Sequence, residues 1–447
     1  MNELNKKHLE SVKQQFERSP YPRIPLEQTP KDNPNYLYQH HFASAYYHRN
    51  QQVIDPKDKL ILDAGCGSGY KALALAYANP GAKIVGIDFS EESVKLARTR
   101  LEYHGIENVQ FEAMAIEDIA SLRMEFDYIN CDEVLYLLPD PEAGLRALKS
   151  VLKPQGIIRG NLHSAFQRVN FFRAQKLFKM MGLMEDDVSD EMAMELSQET
   201  MEALRDFVDL KKRVWSSKIK GNEEALLANY LLREDRGYTI PDLFELLQKT
   251  DLEFISMFNW RQWNPFDLFV EEDKLPAFLG MSLPATSIEE RLHLYELLNP
   301  IHRLLDFWVG HPNGGGEWLP PAEWDTKQWH SAQVHLHPLL QTDSTRSQLE
   351  TSVQHYQAFN ISQQLPIPGV GKVMIDSATA ACLLPLFHSS QSFSTLIDFF
   401  KELRPRNPVT GEGTSDDEAF AAVRGLLQSL ESLSFVFLSL ELPVAKA

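Results

Sequence analysis

Between residues 59 and 161, short apolar runs alternate with stretches whose apolar positions recur every three or four residues. Runs of that kind predict buried strands at 60–63, 83–87, 109–113, 126–131 and near 157–161, and the longer period predicts helices from 69, over 91–104 and over 141–152. Ser90-Glu-Glu-Ser93 supplies a cap and first-turn acids for the second of these helices. Strands that alternate with helices predict an α/β fold with a parallel, doubly wound, Rossmann-like sheet, whose ligands lie beyond the C-terminal strand ends.

Elsewhere the pattern changes. Residues 162–235 break the alternation with an amphipathic helix at 166–184, an acidic stretch at 186–194 and a helical stretch at 201–230, so they predict a helical insertion. Arg168, Asn170 and Arg173 stand at its start as candidate substrate contacts. A capped helix at 238–247 and a strand at 252–258 follow, and the domain that begins at 59 is expected to run to 270. Residues 271–447 predict a C-terminal accessory domain: helix over 285–307, loop at 311–321, strand over 329–337, and a small α+β winged-helix-like unit at about 370–442. Before the sheet, residues 1–58 predict a helical and aromatic cap, with a helix at 3–18 ended by Ser19-Pro20-Tyr21-Pro22.

Composition narrows the function classes. The chain has 447 residues, enough for two domains, and a formal net charge of -18, which makes nucleic acid an unfavoured partner. Its densest cationic group, Lys211-Lys-Arg213 with Lys218 and Lys220, reads as a solvated helix face. No apolar stretch nears the ~20 residues of a membrane helix. Three cysteines, Cys66, Cys131 and Cys382, give no disulfide framework, and the first residues lack an apolar leader; the expected location is cytoplasmic. His330, His335 and His337 cannot share one face of a straight strand, so no metal site is expected.

The chemistry concentrates at Asp63-Ala-Gly65-Cys-Gly67-Ser-Gly69, where the first strand turns into a helix. Glycines there allow positive φ and close backbone approach, which suits a ligand resting on the turn. The spacing is not the G-x-G-x-x-G of a dinucleotide site, and the carboxylate of Asp63 repels a pyrophosphate but suits a cationic amino group. Asp88 ends the second strand, nineteen residues beyond Gly69, where an acid can pair with ribose hydroxyls.

Asp63-x-Gly65-x-Gly67-x-Gly69, followed by Gly86-Ile-Asp88-Phe-Ser90, Val109-Gln-Phe111, Phe126-Asp-Tyr-Ile-Asn-Cys131 and Val151-Leu-Lys-Pro-Gln-Gly156, resembles the cofactor site of class I S-adenosylmethionine (AdoMet) methyltransferases. The overall plan is similar to two-domain bacterial members with a regulatory-like C-terminal extension. The resemblance implies that Gly65, Gly67 and Gly69 admit the methionine part of AdoMet, that Asp63 meets its amino group and that Asp88 pairs with the ribose. It also carries Ala64, Cys66, Phe89 and Cys131 into the cofactor set. Where the family places an Asp against the adenine amino group this chain has Ala115, so Ile116, Glu117 or Asp118 is expected to take over. Tyr21, Tyr36, Tyr46 and Tyr47 are candidates for a lid.

Asp132, Glu133 and Tyr136 follow the fourth strand and are the candidate catalytic residues. The two carboxylates either steer an amine or act as a base, or simply favour a helix N-terminus. The N-P-P-Y motif of many nucleic-acid and amide methyltransferases is absent. The expected acceptor is a protein side chain or a small metabolite, the former favoured because some bacterial protein-lysine methyltransferases look similarly built. A homodimer through the C-terminal domain is a further expectation, and a non-catalytic AdoMet-binding scaffold or sensor is the alternative reading.

Overall fold

A seven-stranded sheet carries the first half of the fold. A computed structural model describes residues 21–185, 187–270, 275–316, 319–407 and 411–440; the helix expected at 3–18 lies outside them. The strands are β1 (Leu60–Ala64), β2 (Lys83–Asp88), β3 (Val109–Ala113), β4 (Phe126–Cys131), β5 (Leu152–His163), β6 (Glu253–Met257) and β7 (Leu304–Gly310), in the order β3-β2-β1-β4-β5-β7-β6. The first five run parallel, and β7 is antiparallel to both β5 and β6. The chain moves outward from β1 to β3 and then returns to place β4 on the other side of β1. That reversal opens a crevice at the C-terminal ends of β1 and β4, the place where open α/β sheets bind ligands.

One face of the sheet is held by a single hydrophobic core. Leu62, Ile129, Ile158 and Phe307 are buried with Leu145 and Leu148 of the helix Pro141–Ser150 and Leu243 and Leu247 of the helix Ile240–Thr250. Each such side chain contributes roughly 1.5–3 kcal/mol by leaving water. Pro241 and the capping box of Thr239 with Asp242 fix the start of the latter helix.

Two expectations about this unit are corrected. The stretch 285–307 is not one helix: Ser287 caps the helix Ile288–Leu298, Asn299-Pro300 ends it, and the chain then turns into β7. Leu304-Leu-Asp-Phe-Trp-Val is apolar in both helical and strand phase, which hid the strand. Because β7 lies inside the sheet, the sheet-bearing unit does not stop at 270. It comprises residues 21–28, Asp58–Leu73 and Ala82–Gly314.

The insertion is helical as expected, in shorter pieces: Val169–Met180, Asp190–Ala203, Asp209–Val214 and Glu223–Asn229. It has its own core around Phe178, Met201 and Tyr230, with the Tyr230 hydroxyl donating to the Val214 carbonyl at 2.6 Å.

The second compact unit comprises residues 29–57, Ala74–Gly81 and the chain from Gly315 onward. It holds the helices Pro34–His40 and Ala43–Asn50, and an antiparallel sheet in which Ala332–Leu336 is flanked by Gln391–Ser392 and Val436–Leu440. The central strand of this sheet precedes residue 370, so the sheet does not lie within the expected unit at about 370–442. Trp329 lies in a short helix, Thr326–Ser331, rather than in the strand. Tyr46 and Tyr47 are buried in this unit, and the Tyr47 hydroxyl donates to Glu431 Oε1 at 2.8 Å and meets the Leu438 backbone. They are packing residues, so the lid expectation is corrected for both. Among the described residues, no helix is long and apolar enough to cross a membrane.

Candidate active site

The glycine turn is built differently from a phosphate cradle. Its backbone N–H groups are already engaged: Gly65 and Cys66 donate to the Ile87 carbonyl, Ser68 to the Tyr21 carbonyl at 2.8 Å, Gly69 to the Cys66 carbonyl, and Gly67 to Asp88 Oδ2 at 3.0 Å. All three glycines have positive φ, at +80°, +50° and +82°. A side chain at Gly67 would place its Cβ 2.2 Å from the Tyr21 carbonyl oxygen, and one at Gly69 would meet the Ala97 backbone at 2.7 Å. The N–H groups of the turn are thus taken up within the protein, which leaves the carboxylates of Asp63 and Asp88 as the charged groups beside it.

Two of these carboxylates carry the signature. Asp63, 1% exposed, accepts from Asn130 Nδ2 at 2.9 Å through Oδ1, while its Oδ2 and Asn130 Oδ1 are buried without a partner among the described residues. Burial pushes the Asp63 carboxyl up to about 6 despite the Asn130 hydrogen bond. Two orphaned acceptors at the ends of β1 and β4 call for a donor, best a cationic one. Asp88 accepts from Gly67 N–H on one oxygen and Ser90 N–H at 2.9 Å on the other, and burial raises its pKa. A carboxylate held this way keeps lone pairs for hydroxyl groups.

A cavity of about 870 Å³, counted with its open mouth, lies over the turn. Its walls include the expected Gly65, Cys66, Gly67, Asp88, Phe89, Ile116 and Glu117, together with Met114 and Ala115. Ile116 is buried and Glu117 exposed, so the wall after β3 offers an apolar face with a carboxylate at its edge. Asp118 is not among the lining residues. Ala64, Gly69 and Cys131 do not line the cavity either: Ala64 and Cys131 are buried in the strand ends, and Gly69 admits the helix Glu91–Tyr103 beside it. Asp63 stands behind the lining residues rather than among them.

Asp132, Glu133 and Tyr136 stand beyond β4. The reading of the two acids as helix-terminus residues is corrected, because only a three-residue turn, Leu135–Leu137, follows them. They are engaged by cations instead. Lys71 Nζ lies 2.9 Å from Asp132 Oδ2 and 3.8 Å from Glu133 Oε2, Arg159 Nη2 lies 3.8 Å from Asp132 Oδ1, and Arg303 pairs with Glu133. Asn161 donates to Asp132 Oδ1 at 2.5 Å and accepts from the Glu133 N–H at 2.8 Å. Glu133 has a left-handed backbone, φ +61°, the kind of local strain that collects at functional sites. Burial alone would raise the Glu133 carboxyl, but Lys71 and Arg303 outweigh it and hold it low.

A second cavity of about 660 Å³ shares Tyr21, Glu133 and Leu137 with the first. Tyr136, Arg303, Leu227 and Leu232 are among its other walls, with Arg23, Asp190 and Glu224. Burial, then Glu133 and Glu224, pushes the Tyr21 phenol up to about 12. Tyr136 is buried, stacked on His163. Arg168 is not a substrate contact: it is fully buried and donates to Asp235 Oδ2 at 2.8 Å. Asn170 and Arg173 pair with one another on the exposed face.

Sequence reasoning missed Lys71, Asn130, Asn161 and Arg303. Lys71 had a signal: a cation in the first turn of a helix opposes the dipole, which marks it for other work. Arg303 had none, because the strand it precedes was read as helix.

Comparison with known proteins agrees with this geometry. Residues 55–226 match the methyltransferase domain family. An uncharacterized protein of Synechococcus sp. is 29% identical over 323 residues, covering 70% of this chain and 73% of that protein. The ubiquinone biosynthesis O-methyltransferase of Neisseria meningitidis is 36% identical over 106 residues, which is 23% of this chain and 44% of that enzyme, so the chain spans less than half the length of that relative. Among solved structures, PKMT2 from Rickettsia typhi in complex with AdoHcy matches with a TM-score of 0.58 at 15% identity, over 95% of this chain and 78% of that one. The closed glycine turn and the carboxylates Asp63 and Asp88 lie within residues 55–226, the stretch that matches the methyltransferase domain family.

Proposed function

We propose that this chain transfers the methyl group of AdoMet to an amine on a protein side chain, presented through the second cavity. The observation that carries the reading is the junction of the two cavities at Tyr21 and Glu133. Leu137, Leu227 and Leu232 offer an apolar wall for an aliphatic stem, and Glu133 and Glu224 offer charge for a basic head group. A lysine-like side chain has both features.

Bound AdoMet supplies a sulfonium, whose methyl group is already electrophilic. Asp63 and Asn130 would hold the amino group, Asp88 the ribose, and Met114 and Ile116 the adenine. With substrate and cofactor oriented, proximity supplies most of the acceleration. Glu133, held low by Lys71 and Arg303, is a weak base, so its part is to orient the acceptor. An attacking amine needs its lone pair; Lys71 and Arg303 favour loss of its proton to solvent before transfer. The Tyr21 phenol stays protonated at neutral pH and serves as a donor and an aromatic wall.

Likeness to the O-methyltransferases motivates a second reading, a small-molecule acceptor. The matched stretch covers under a quarter of the chain, so it bears on the cofactor half more than on the acceptor. The test is transfer of tritiated methyl from AdoMet to separate protein and metabolite fractions of a lysate. Acid-precipitable label is expected, reduced ~100-fold in Glu133→Gln while AdoHcy binding changes less than about threefold. Label confined to the metabolite fraction would replace the protein acceptor with the second reading. Tight AdoMet binding with no label in either would favour the scaffold alternative.

A further inference from the structure

His163, at the end of β5, makes two hydrogen bonds that fix the position of its proton. Its Nε2 lies 3.1 Å from Arg303 Nη1 and its Nδ1 lies 2.6 Å from Asp235 Oδ1. A guanidinium nitrogen only donates, so Nε2 accepts, and the ring hydrogen belongs on Nδ1, where it donates to Asp235. The ring is neutral, in keeping with burial, which pulls its pKa down to about 4. Tyr136 stacks on the same ring with centroids 3.6 Å apart and planes 20° from parallel.

Each end of this chain of bonds reaches something the reaction needs. Arg303 gives its other terminal nitrogen, Nη2, to Glu133. Asp235 accepts from Arg168 Nη2 at 2.8 Å and Gln175 Nε2 at 2.9 Å, and Arg168 also holds Asn229 Oδ1 at 3.0 Å. Asp235 and Arg168 have no exposed side-chain surface, and both belong to the foot of the helical insertion. Arg303 is 41% exposed in its side chain, so it is the accessible link of the series.

The geometry points to His163 and Asp235 as positioning residues that act through Arg303: a relay with a fixed proton sets the orientation and charge of the Glu133 carboxylate from the buried foot of the insertion. Its use in catalysis rests on the methyl-transfer reading above; the relay itself does not. Glu133 faces Lys71, Arg303 and Asp132, with Tyr21, Tyr136 and Glu224 also within electrostatic reach; among the described residues the hydrogen-bond link from it to His163 runs through Arg303.

The test uses the full chain, isotope-labelled at glutamate carboxyls and histidine ring nitrogens, with and without S-adenosylhomocysteine. Glu133→Gln identifies the Glu133 signal. In the unmodified chain His163 is expected to keep the neutral Nδ1–H signature from about pH 5 to about pH 8. Arg303→Met should move the Glu133 titration midpoint up by about one pH unit, as loss of a close opposite charge does. Arg303→Lys keeps the charge but not the fork, so Glu133 should stay low while the His163 Nε2 signal shifts. His163→Gln, which retains an acceptor for Arg303, should move Glu133 by less than Arg303→Met.

An Nε2–H tautomer of His163 overturns the proposal. So does a Glu133 midpoint that moves by less than ~0.2 pH units in Arg303→Met, where an opposite charge has been removed. An unchanged His163 signal in Arg303→Lys has the same consequence. Failure of S-adenosylhomocysteine to bind the unmodified chain would count against the methyltransferase reading alone, because the titrations still decide the relay.

Discussion

The two cavities that meet at Glu133 are built from the chain in opposite ways. The proposed cofactor cavity draws mostly on short stretches at the ends of neighbouring strands, residues 65–67 after β1, Asp88 and Phe89 at the end of β2, residues 114–117 after β3 and residues 132–134 after β4, with Tyr21 and Pro22 added from upstream. The proposed acceptor cavity gathers Tyr21, Arg23, Glu133, Asp190, Leu227 and Arg303 from segments nearly three hundred residues apart. A site made at consecutive strand ends is specified locally, by a turn and an acid at fixed spacing. One made by an insertion folding back over the sheet depends on where distant segments come to rest. The first is therefore sensitive to backbone changes and the second to charge changes, and substitutions can separate the two.

The largest effect is expected at Gly67. Its φ of +50° and the Tyr21 carbonyl, 2.2 Å from any Cβ placed there, leave no room for a side chain. Gly67→Arg should weaken S-adenosylhomocysteine binding at least ~100-fold, about 2.7 kcal/mol, as calorimetric titration would register. Binding within tenfold of the parent would mean that the turn does not shape the cavity.

Asp88→Ala comes next. It removes the acceptor for the Gly67 and Ser90 N–H groups and the proposed partner of the ribose. A loss of ~2–2.7 kcal/mol, or ~30- to 100-fold in affinity, is expected, since hydrogen bonds to a charged group are the stronger ones. An affinity left unchanged would transfer the ribose contact to another residue and detach the second strand end from the site.

The difference in construction also explains what was legible beforehand. Strand-to-helix alternation and the acids ending β1 and β2 could be read because each lies inside one short window. The strand 304–310 could not be, because a run that is apolar but for Asp306 fits a helical and an extended period equally. Losing that strand hid Arg303, and with it the link between Glu133 and the insertion. The same limit affected the tyrosines: an aromatic run gives no sign of which face it covers. Of the four lid candidates, Tyr21 lines both cavities, whereas Tyr46 and Tyr47 fill the core of the second unit.

Asp63 gives a smaller, pH-dependent effect. Burial raises its carboxyl to about 6 from an ordinary value near 3.8. The folded chain therefore holds a proton that the unfolded chain releases, so this group favours the fold most below about pH 4, and that contribution declines as pH rises through about 6. Binding of a cationic amino group requires the ionised form, so affinity should run the other way. S-adenosylhomocysteine should bind roughly tenfold more tightly at about pH 7 than at about pH 5. Asp63→Asn should flatten that slope, and a slope that survives the substitution would assign the titration to a different group.

The smallest effect on the cofactor, and a test of where the local site ends, is expected from Tyr47→Phe. The hydroxyl donates to Glu431 Oε1 at 2.8 Å and lies 3.2 Å from the Leu438 N–H, deep in the core of the second unit. Its removal leaves a buried N–H with one partner fewer and should cost ~1–3 kcal/mol of stability, read as a lower denaturant midpoint. The cofactor cavity contains no residue of that unit, so affinity for S-adenosylhomocysteine should change by less than about twofold, which is under 0.5 kcal/mol. A tenfold loss would mean that the aromatic segment closes over the cofactor after all, and the cofactor site would then be as dependent on distant segments as the acceptor site is.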